Sequence, residues 1–193
     1  MAIGRTFPVA FQKAWRSLEQ GRLGWGADGK DRMNPERLRE RLITPNPERF
    51  FYIRYALQSG MGVEQISALT RIDPWFIEQF EQIVNLDGRL RAFSLETVPA
   101  DLLRQAKRMG FSDAQLAFLL RVGDGTPANH AASGATTSPP LRTPWTPELA
   151  VRARRAALGI TPTYHRVDTC AAEFPAFTPY LYSSYESEDE AEV

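Results

Sequence analysis

The sequence contains one apolar pattern twice, and this repeat limits the possible fold more than any other feature. Residues 60–72 read GMGVEQISALTRI, and residues 110–122, offset by 50 positions, read GFSDAQLAFLLRV. The glycine, glutamine, arginine and large apolar positions coincide, and the apolar residues recur at helical spacing. A duplicated helical unit buries an apolar stripe that one copy could not bury alone. We therefore predict an all-α, multihelical fold of two related bundles, with repeat units at about 47–93 and 97–159.

A second helix is predicted to follow each copy. Asp73-Pro74 opens it in the first copy, but the equivalent Thr146-Pro147 stands at an offset of 73 instead of 50. Residues 123–145 are therefore an insertion, and their Gly, Ala, Ser, Thr and Pro content predicts disorder because little apolar surface can offset the ordering entropy. The alignment predicts three pairs of equivalent core positions: Phe76 with Leu149, Phe80 with Ala153, and Ile83 with Ala156.

Two Asn-Pro pairs, at 34–35 and 46–47, give further helix starts, since Asn caps free amides and Pro fits the first helical position. Another helix is predicted from about Pro8 to Glu19. The expected core positions of the remaining helices are Phe50, Ile53 and Leu57 after Pro47, and Leu102, Leu103 and Ala106 within 99–109. After Gly159 the helical period ends, so residues 161–185 are predicted to be extended and irregular, with an acidic end at 186–190.

Composition excludes several classes of protein. The 193 residues include 23 basic and 23 acidic side chains, so the formal net charge is zero and nothing attracts polyanions globally. A single cysteine, Cys170, cannot form an internal disulfide and fits a reducing compartment. No apolar run is long enough for a membrane span, and the start lacks a signal-peptide core. We expect a cytoplasmic protein that does not contact membranes.

Two groups of residues resemble sequence motifs of catalytic or binding sites. Gly24, Gly26, Gly29 and Lys30 resemble a phosphate loop, but such a loop joins a strand to a helix, and here a helix precedes it. A flexible glycine loop is the favoured interpretation. His165 and Cys170 could form a base and a nucleophile, yet no oxyanion donors are apparent, and a buried structural cysteine is favoured. Carboxylates are expected on solvated helix faces.

The repeat itself resembles a helix-turn-helix, which would imply nucleic-acid binding. The second helix of the first copy exposes Glu78 and Glu81 where a DNA reader needs Arg, Asn or Gln. Arg152, Arg154 and Arg155 in the second copy would suit phosphates. The residues alone therefore favour a helical protein-interaction domain with no catalytic residue, cofactor site or metal site, and leave a free-standing nucleic-acid-binding domain as the alternative.

The run Arg166 to Phe174, RVDTCAAEF, resembles a signature of carbamoyl phosphate synthetase large subunits. Further motifs agree in order: MAIGRT at the start, IDPWF from Ile72, GFSD from Gly110, and residues 178–186. The resemblance covers the chain apart from the insertion.

This resemblance implies the helical oligomerisation, or connection, domain between two ATP-grasp halves. Residues 1–21 would be the tail of the carboxyphosphate half, 22–160 the helical domain, and 161–193 the connection to the carbamoyl-phosphate half, so we expect a piece of a longer chain. The parent would be a ligase that makes carbamoyl phosphate from bicarbonate, glutamine-derived ammonia and two ATP, with Mg and K ions. Both ATP sites would lie outside this segment, which would be non-catalytic and hold no cofactor.

The implied partners are the flanking ATP-grasp halves, other large subunits and a small glutaminase subunit, in arginine or pyrimidine biosynthesis. Nucleic acid is not among them. An exposed apolar patch would pair with its copy in another subunit. The resemblance also marks candidate interdomain or structural residues, which are Arg5, Thr6, Trp75, Phe76, Arg166, Asp168, Thr169, Cys170 and Glu173.

Overall fold

The computed structural model describes residues 1–31, 33–123, 146–171, 173–175 and 177–191. The predicted disordered insertion lies outside the described residues except for Gly123. The described elements, in chain order, are α1 (Phe7–Ser17), a 3-10 turn (Pro35–Arg37), α2 (Leu38–Ile43), α3 (Arg49–Gln58), α4 (Val63–Thr70), α5 (Pro74–Leu90), α6 (Ala100–Arg108), α7 (Asp113–Leu119), α8 (Pro147–Ala157), β1 (Thr163–Arg166) and β2 (Leu181–Ser184). The predicted all-α class is confirmed, with one small hairpin added.

The two copies of the repeat have similar backbone conformations at equivalent turns, as well as similar sequences. Gly60 and Gly110, which end α3 and α6, both have a φ of 84°, in the left-handed region that glycine adopts without strain. Arg71 and Arg121, which follow α4 and α7, have φ values of 60° and 56°. The turns between the helices also close with equivalent hydrogen bonds, from Met61 N to Ala56 O (3.0 Å) and from Phe111 N to Ala106 O (3.1 Å).

The last helix departs from the predicted pattern. Ala153 and Ala156 are exposed and Leu149 is 38% exposed, so the predicted stripe of α8 is wrong. The helix instead buries Val151 and Arg155, which face α7. The Arg155 guanidinium pairs with Asp113 at the start of α7, with Nε 2.9 Å from Oδ2.

The core faces of α3 and α5 were predicted only in part. Ile53 is fully buried as expected, but Phe50 is 38% exposed. Since α3 contacts α2, α4 and α5, its buried positions do not form one stripe. In α5, Phe80 and Ile83 are buried as predicted, whereas Phe76 is 40% exposed. The prediction for α6 is confirmed, since Leu102, Leu103 and Ala106 are all buried.

The two Asn-Pro pairs cap turns as predicted. Asn34 Oδ1 accepts a hydrogen bond from Glu36 N at 3.0 Å, and Asn46 Oδ1 accepts one from Glu48 N at 3.1 Å. The second helix starts later than predicted, at Arg49, because residues 47–48 form a turn first.

The glycine-rich segment after α1 is a loop, but a packed one. Trp25 is fully buried, and its backbone N–H donates to Gln12 Oε1 at 2.9 Å. A Cβ at Gly24 would lie 2.4 Å from the Gln115 side chain, and one at Gly26 would lie 2.3 Å from Arg54 Nε. The interpretation as a flexible loop is therefore wrong, because these glycines let core side chains approach the backbone.

Several carboxylates lie inside the fold, contrary to the prediction that they occupy solvated faces. Asp28 and Asp87 are 0% and 1% exposed. Asp28 pairs with Arg22 at 2.9 Å, and Asp87 pairs with Arg54. Each buried charge therefore has an opposite charge beside it, which offsets the loss of water.

The C-terminal segment is extended as predicted but not irregular, because β1 and β2 form an antiparallel hairpin that pairs Thr163 with Ser184 and Arg166 with Leu181. The hairpin lies against α1 and α6. Lys13 Nζ donates to Ser183 O at 2.6 Å, and Arg108 Nε donates to Tyr185 O at 3.1 Å. None of the helices described here combines the length and the apolar character needed to cross a bilayer.

Candidate interaction surfaces

Three aromatic side chains, one half-buried and two exposed, form a cluster where the start of α1 meets the start of α5. We call this cluster, Phe7, Trp75 and Phe76, the aromatic face. The Phe7 ring centroid lies 5.6 Å from that of Trp75 and 5.5 Å from that of Phe76, both edge-to-face. Trp75 and Phe76 are themselves 4.9 Å apart. Trp75 is 49% exposed and Phe76 is 40% exposed, so the cluster is ordered by mutual contact yet open to a partner.

The aromatic face packs against buried aromatic side chains of the core. Phe80, only 2% exposed, lies one helical turn after Phe76, and its ring centroid is 5.6 Å from that of Phe7. It also contacts Phe11 at 4.8 Å and Trp25 at 5.0 Å. The start of α5 is fixed as well, since Asp73 Oδ1 accepts a hydrogen bond from Trp75 N at 2.9 Å.

Such a surface is suited to protein contact. Large exposed aromatic rings lose little conformational entropy on binding and contribute much of the energy at interfaces. A rigid apolar patch is also costly to leave in water. The two predicted residues here, Trp75 and Phe76, therefore belong to one surface, and Phe7 completes it.

Four other predicted residues lie in the loop between β1 and β2 or at its end. The loop folds on itself, since Asp168 Oδ1 accepts from Cys170 N at 2.8 Å and Cys170 O accepts from Glu173 N at 3.0 Å. Thr169 Oγ1 lies 3.9 Å from the Cys170 sulfur. Cys170 is a free thiol and only half-buried, so the prediction of a buried structural cysteine is wrong. Its backbone hydrogen bonds are made within the loop, to Asp168 and Glu173.

The same loop exposes aromatic side chains that the sequence analysis did not single out. Phe174, Phe177 and Tyr180 are 70%, 87% and 67% exposed. Their spacing follows no helical or strand period, so the only available signal was the aromatic content of the segment. These three exposed side chains do not belong to the aromatic face.

Arg5 and Arg166 lie beside the acidic residues that follow β2. The Arg5 guanidinium is 3.9 Å from Glu188, and Arg166 N donates to Glu190 Oε2 at 2.8 Å. Thr6 precedes α1, and its side chain does not cap the helix. The predicted residues thus fall into three places, namely the aromatic face, the hairpin loop, and the contact between the chain start and the acidic end.

Comparison with known proteins identifies the family. The profile of the family described as "Carbamoyl-phosphate synthetase large chain, oligomerisation domain" matches residues 1–131. The chain belongs to this carbamoyl-phosphate synthetase family. It is 46% identical over 99% of its length to the carbamoyl phosphate synthase large chain of Archaeoglobus fulgidus, and 45% identical over 98% to that of a Nostoc species. A chloroplastic, arginine-specific large chain from rice is 42% identical over 99% of this chain.

This carbamoyl-phosphate synthetase domain spans only a small part of those relatives. It covers 16% of the Archaeoglobus protein and 15% of the Nostoc protein. The expected family, and the assignment to its oligomerisation domain, are confirmed.

The side chain of His165 in this carbamoyl-phosphate synthetase domain is buried and hydrogen-bonded at both ring nitrogens. It is fully buried, with Nε2 2.8 Å from Ser184 Oγ and Nδ1 3.2 Å from Glu190 Oε1. The hydrogen bond from Arg166 N, followed by that from His165, lowers the pKa of the Glu190 carboxyl. The imidazole thus joins β1 to β2 through Nε2 and to the segment after β2 through Nδ1. Within the described part of the chain, no three His, Cys, Asp or Glu side chains are grouped so that they could hold a metal ion.

Proposed function

We propose that this domain is a non-catalytic scaffold that brings large subunits together through the aromatic face and holds two ATP-grasp halves at a fixed separation. The fixed separation would let labile carbamate pass between the halves inside protein. The mechanism is mechanical, because closely packed helices transmit position instead of deforming. The partner on the aromatic face would be a second copy of the same surface, as in a two-fold dimer.

The observation that carries this proposal is the exposure of Trp75 and Phe76 on a rigid aromatic base, in a chain of the oligomerisation-domain family. Both side chains follow a capped Asp-Pro helix start, so little ordering entropy opposes their burial against a partner. The residue of the second repeat equivalent to Phe76 is Leu149, which is 38% exposed and has no aromatic ring of its own.

The larger assembly is part of the same proposal. The parent protein would make carbamoyl phosphate from bicarbonate, glutamine-derived ammonia and two ATP, with Mg and K ions held outside this domain. Residues 1–21 and 161–193 would join residues 22–160 to the two catalytic halves, and a small glutaminase subunit would complete the enzyme. Cytoplasmic residence is part of the proposal too; the rice relative is described as chloroplastic.

Sedimentation equilibrium across a wide concentration range tests the subunit contact. We expect a concentration-dependent dimer whose dissociation constant rises about tenfold or more in the double variant Trp75→Ala, Phe76→Ala. Leu149→Ala is the matched control, since it removes an equally exposed apolar side chain at the equivalent position of the second repeat. Circular dichroism checks that each variant is folded.

Two results would contradict the proposed contact. A wild-type chain that stays monomeric at all concentrations would show that the aromatic face does not bind a second copy. A dimer that Leu149→Ala weakens as much as the double variant would place the contact elsewhere.

A further inference from the structure

A cavity of about 150 Å³ lies between α1, α6 and β2, away from the aromatic face. This volume is well above the roughly 10–15 Å³ that one water molecule requires. Its polar lining is mostly basic and hydroxyl side chains, which include Thr6, Lys13, Arg16, Lys107, Arg108 and Ser183. One carboxylate, Glu186, also lines the cavity, and it lies 3.7 Å from Arg108 Nε.

Two of these cations have carbonyl oxygens as partners but no carboxylate. Lys13 Nζ donates to Ile3 O at 3.0 Å and to Ser183 O at 2.6 Å, and Arg16 Nη1 donates to Gly110 O at 2.8 Å. Neither forms an ion pair with any described residue. By contrast, Lys107 pairs with Asp113 at 2.9 Å.

The positions of Lys13 and Arg16 are electrostatically unfavourable in the unliganded chain. They lie three residues apart on α1, where like charges face each other and destabilise a helix. Burial lowers the pKa of Lys13, and the charge of Arg16 lowers it further. Burial also lowers the pKa of Arg16. A negative charge between the two side chains would relieve both effects.

We propose that this cavity binds a phosphate-sized oxyanion, with Lys13 and Arg16 as its direct contacts. An anion with close to two negative charges matches the two cations that lack carboxylate partners. Charge-assisted hydrogen bonds of this kind are among the strongest in proteins. Thr6 contributes a hydroxyl to the lining that it does not use to cap α1. None of the three residues of the aromatic face lines this cavity, so phosphate binding and the subunit contact can be tested separately.

The test is a titration of the 193-residue chain with inorganic phosphate at constant ionic strength, with chloride as the balancing anion, followed by backbone amide NMR shifts. We expect saturable shifts confined to residues that line the cavity. The association constant should fall about tenfold in Arg16→Gln. Arg39→Gln is the matched control, because it removes one positive charge from an exposed position on α2.

The pattern of amide shifts in the wild-type chain is enough to contradict the proposal. Shifts that are absent, do not saturate, or spread over exposed arginines such as Arg39 would exclude a specific site, even if Arg16→Gln does not fold. Equal loss of binding in Arg16→Gln and Arg39→Gln would indicate a general charge effect. The oligomeric state is measured separately, so a monomer that binds phosphate contradicts only the proposed subunit contact.

Discussion

Arg54 on α3 and Asp87 on α5 form an ion pair inside the helical core, with side chains 2% and 1% exposed. Asp87 also accepts a hydrogen bond from Arg91 Nε at 2.7 Å, and Arg54 Nε lies 3.6 Å from Asp31 Oδ2. The Arg54 guanidinium is 5.6 Å from the ring centroid of Trp25. One buried cation thus connects α3, α5 and the packed glycine loop.

Asp87→Asn should destabilise the domain by about 3 kcal/mol, because the buried Arg54 charge keeps only Asp31, whose carboxylate is 3.6 Å away and 30% exposed. Urea denaturation followed by circular dichroism measures the loss. Asp101→Asn is the control, since its carboxylate pairs with Arg104 at 2.8 Å while 96% exposed, and it should change stability little. Similar losses in both variants would show that the buried pair does not contribute as argued.

The duplication provides a gain-of-stability prediction at the start of α4. In the second copy, Ser112 and Gln115 form a reciprocal capping box, whereas the first copy has Gly62 with Gln65 three residues later. Gly62→Ser should recreate the cap and raise the free energy of unfolding by a few tenths of a kcal/mol. Ser112→Ala should lower it by about 1 kcal/mol. A Gly62→Ser protein less stable than wild type in urea would contradict the equivalence of the two caps.

Gly60 and Gly110 share one backbone conformation but not one environment. A Cβ at Gly60 would meet nothing within 4 Å, whereas one at Gly110 would lie 3.0 Å from Val9 Cα and 3.1 Å from Gln12 Cβ. Both Ala variants carry the strain of a positive φ, about 1 kcal/mol. We expect a lower melting temperature for Gly110→Ala than for Gly60→Ala, because only the former also displaces α1. Equal melting temperatures would show that α1 moves aside without cost.

Acid should weaken the contact between α7 and α8. Burial alone would raise the pKa of Asp113, but Lys107 and Arg155 outweigh it, so the pKa in the folded state lies below its usual value. A carboxyl with a depressed folded-state pKa contributes stability above its unfolded pKa of about 3.9, and this stability is lost as the pH falls through the folded-state value.

The corresponding measurement compares the free energy of unfolding of the wild type and Asp113→Asn between about pH 6 and pH 2.5. The wild type should be more stable at the upper end, and the difference should narrow at the lower end. A difference that stays constant with pH would show that the ionised carboxylate of Asp113 is not responsible.

The helix pairs of the repeat could be predicted because the apolar period and the residues at the helix ends determine where these helices form. Ile66 and Leu116, placed at equivalent core positions by the sequence, are both fully buried. Their helices begin at Gly62 and Ser112, positions marked in the sequence by local backbone and capping preferences.

The incorrect predictions concern positions whose burial depends on contacts with residues distant in sequence. Phe76 and Ile77 are adjacent on α5, and Ile77 is fully buried whereas Phe76, which contacts Phe7 of α1, is 40% exposed. No periodic pattern marks Trp25 as core, since its surroundings consist of glycines. Asp87 offered a signal that was not used, because it lies at the spacing of the buried Phe80, Ile83 and Leu90 on α5. The exposed aromatic site at Trp75 was indicated by family resemblance and not by hydrophobic period.

The ammonium group of Lys13 joins Ile3 O and Ser183 O, so backbone near the start of the chain and backbone of β2 share one hydrogen-bond donor. Displacing β2 must therefore either break the hydrogen bond between Lys13 and Ser183 or move α1 together with β2. This coupling is direct, because Lys13 itself lies on α1. Since Phe7 lies on the same helix, such a displacement would also change the position of the aromatic face. Lys13 thus couples the hairpin mechanically to the surface proposed for subunit contact.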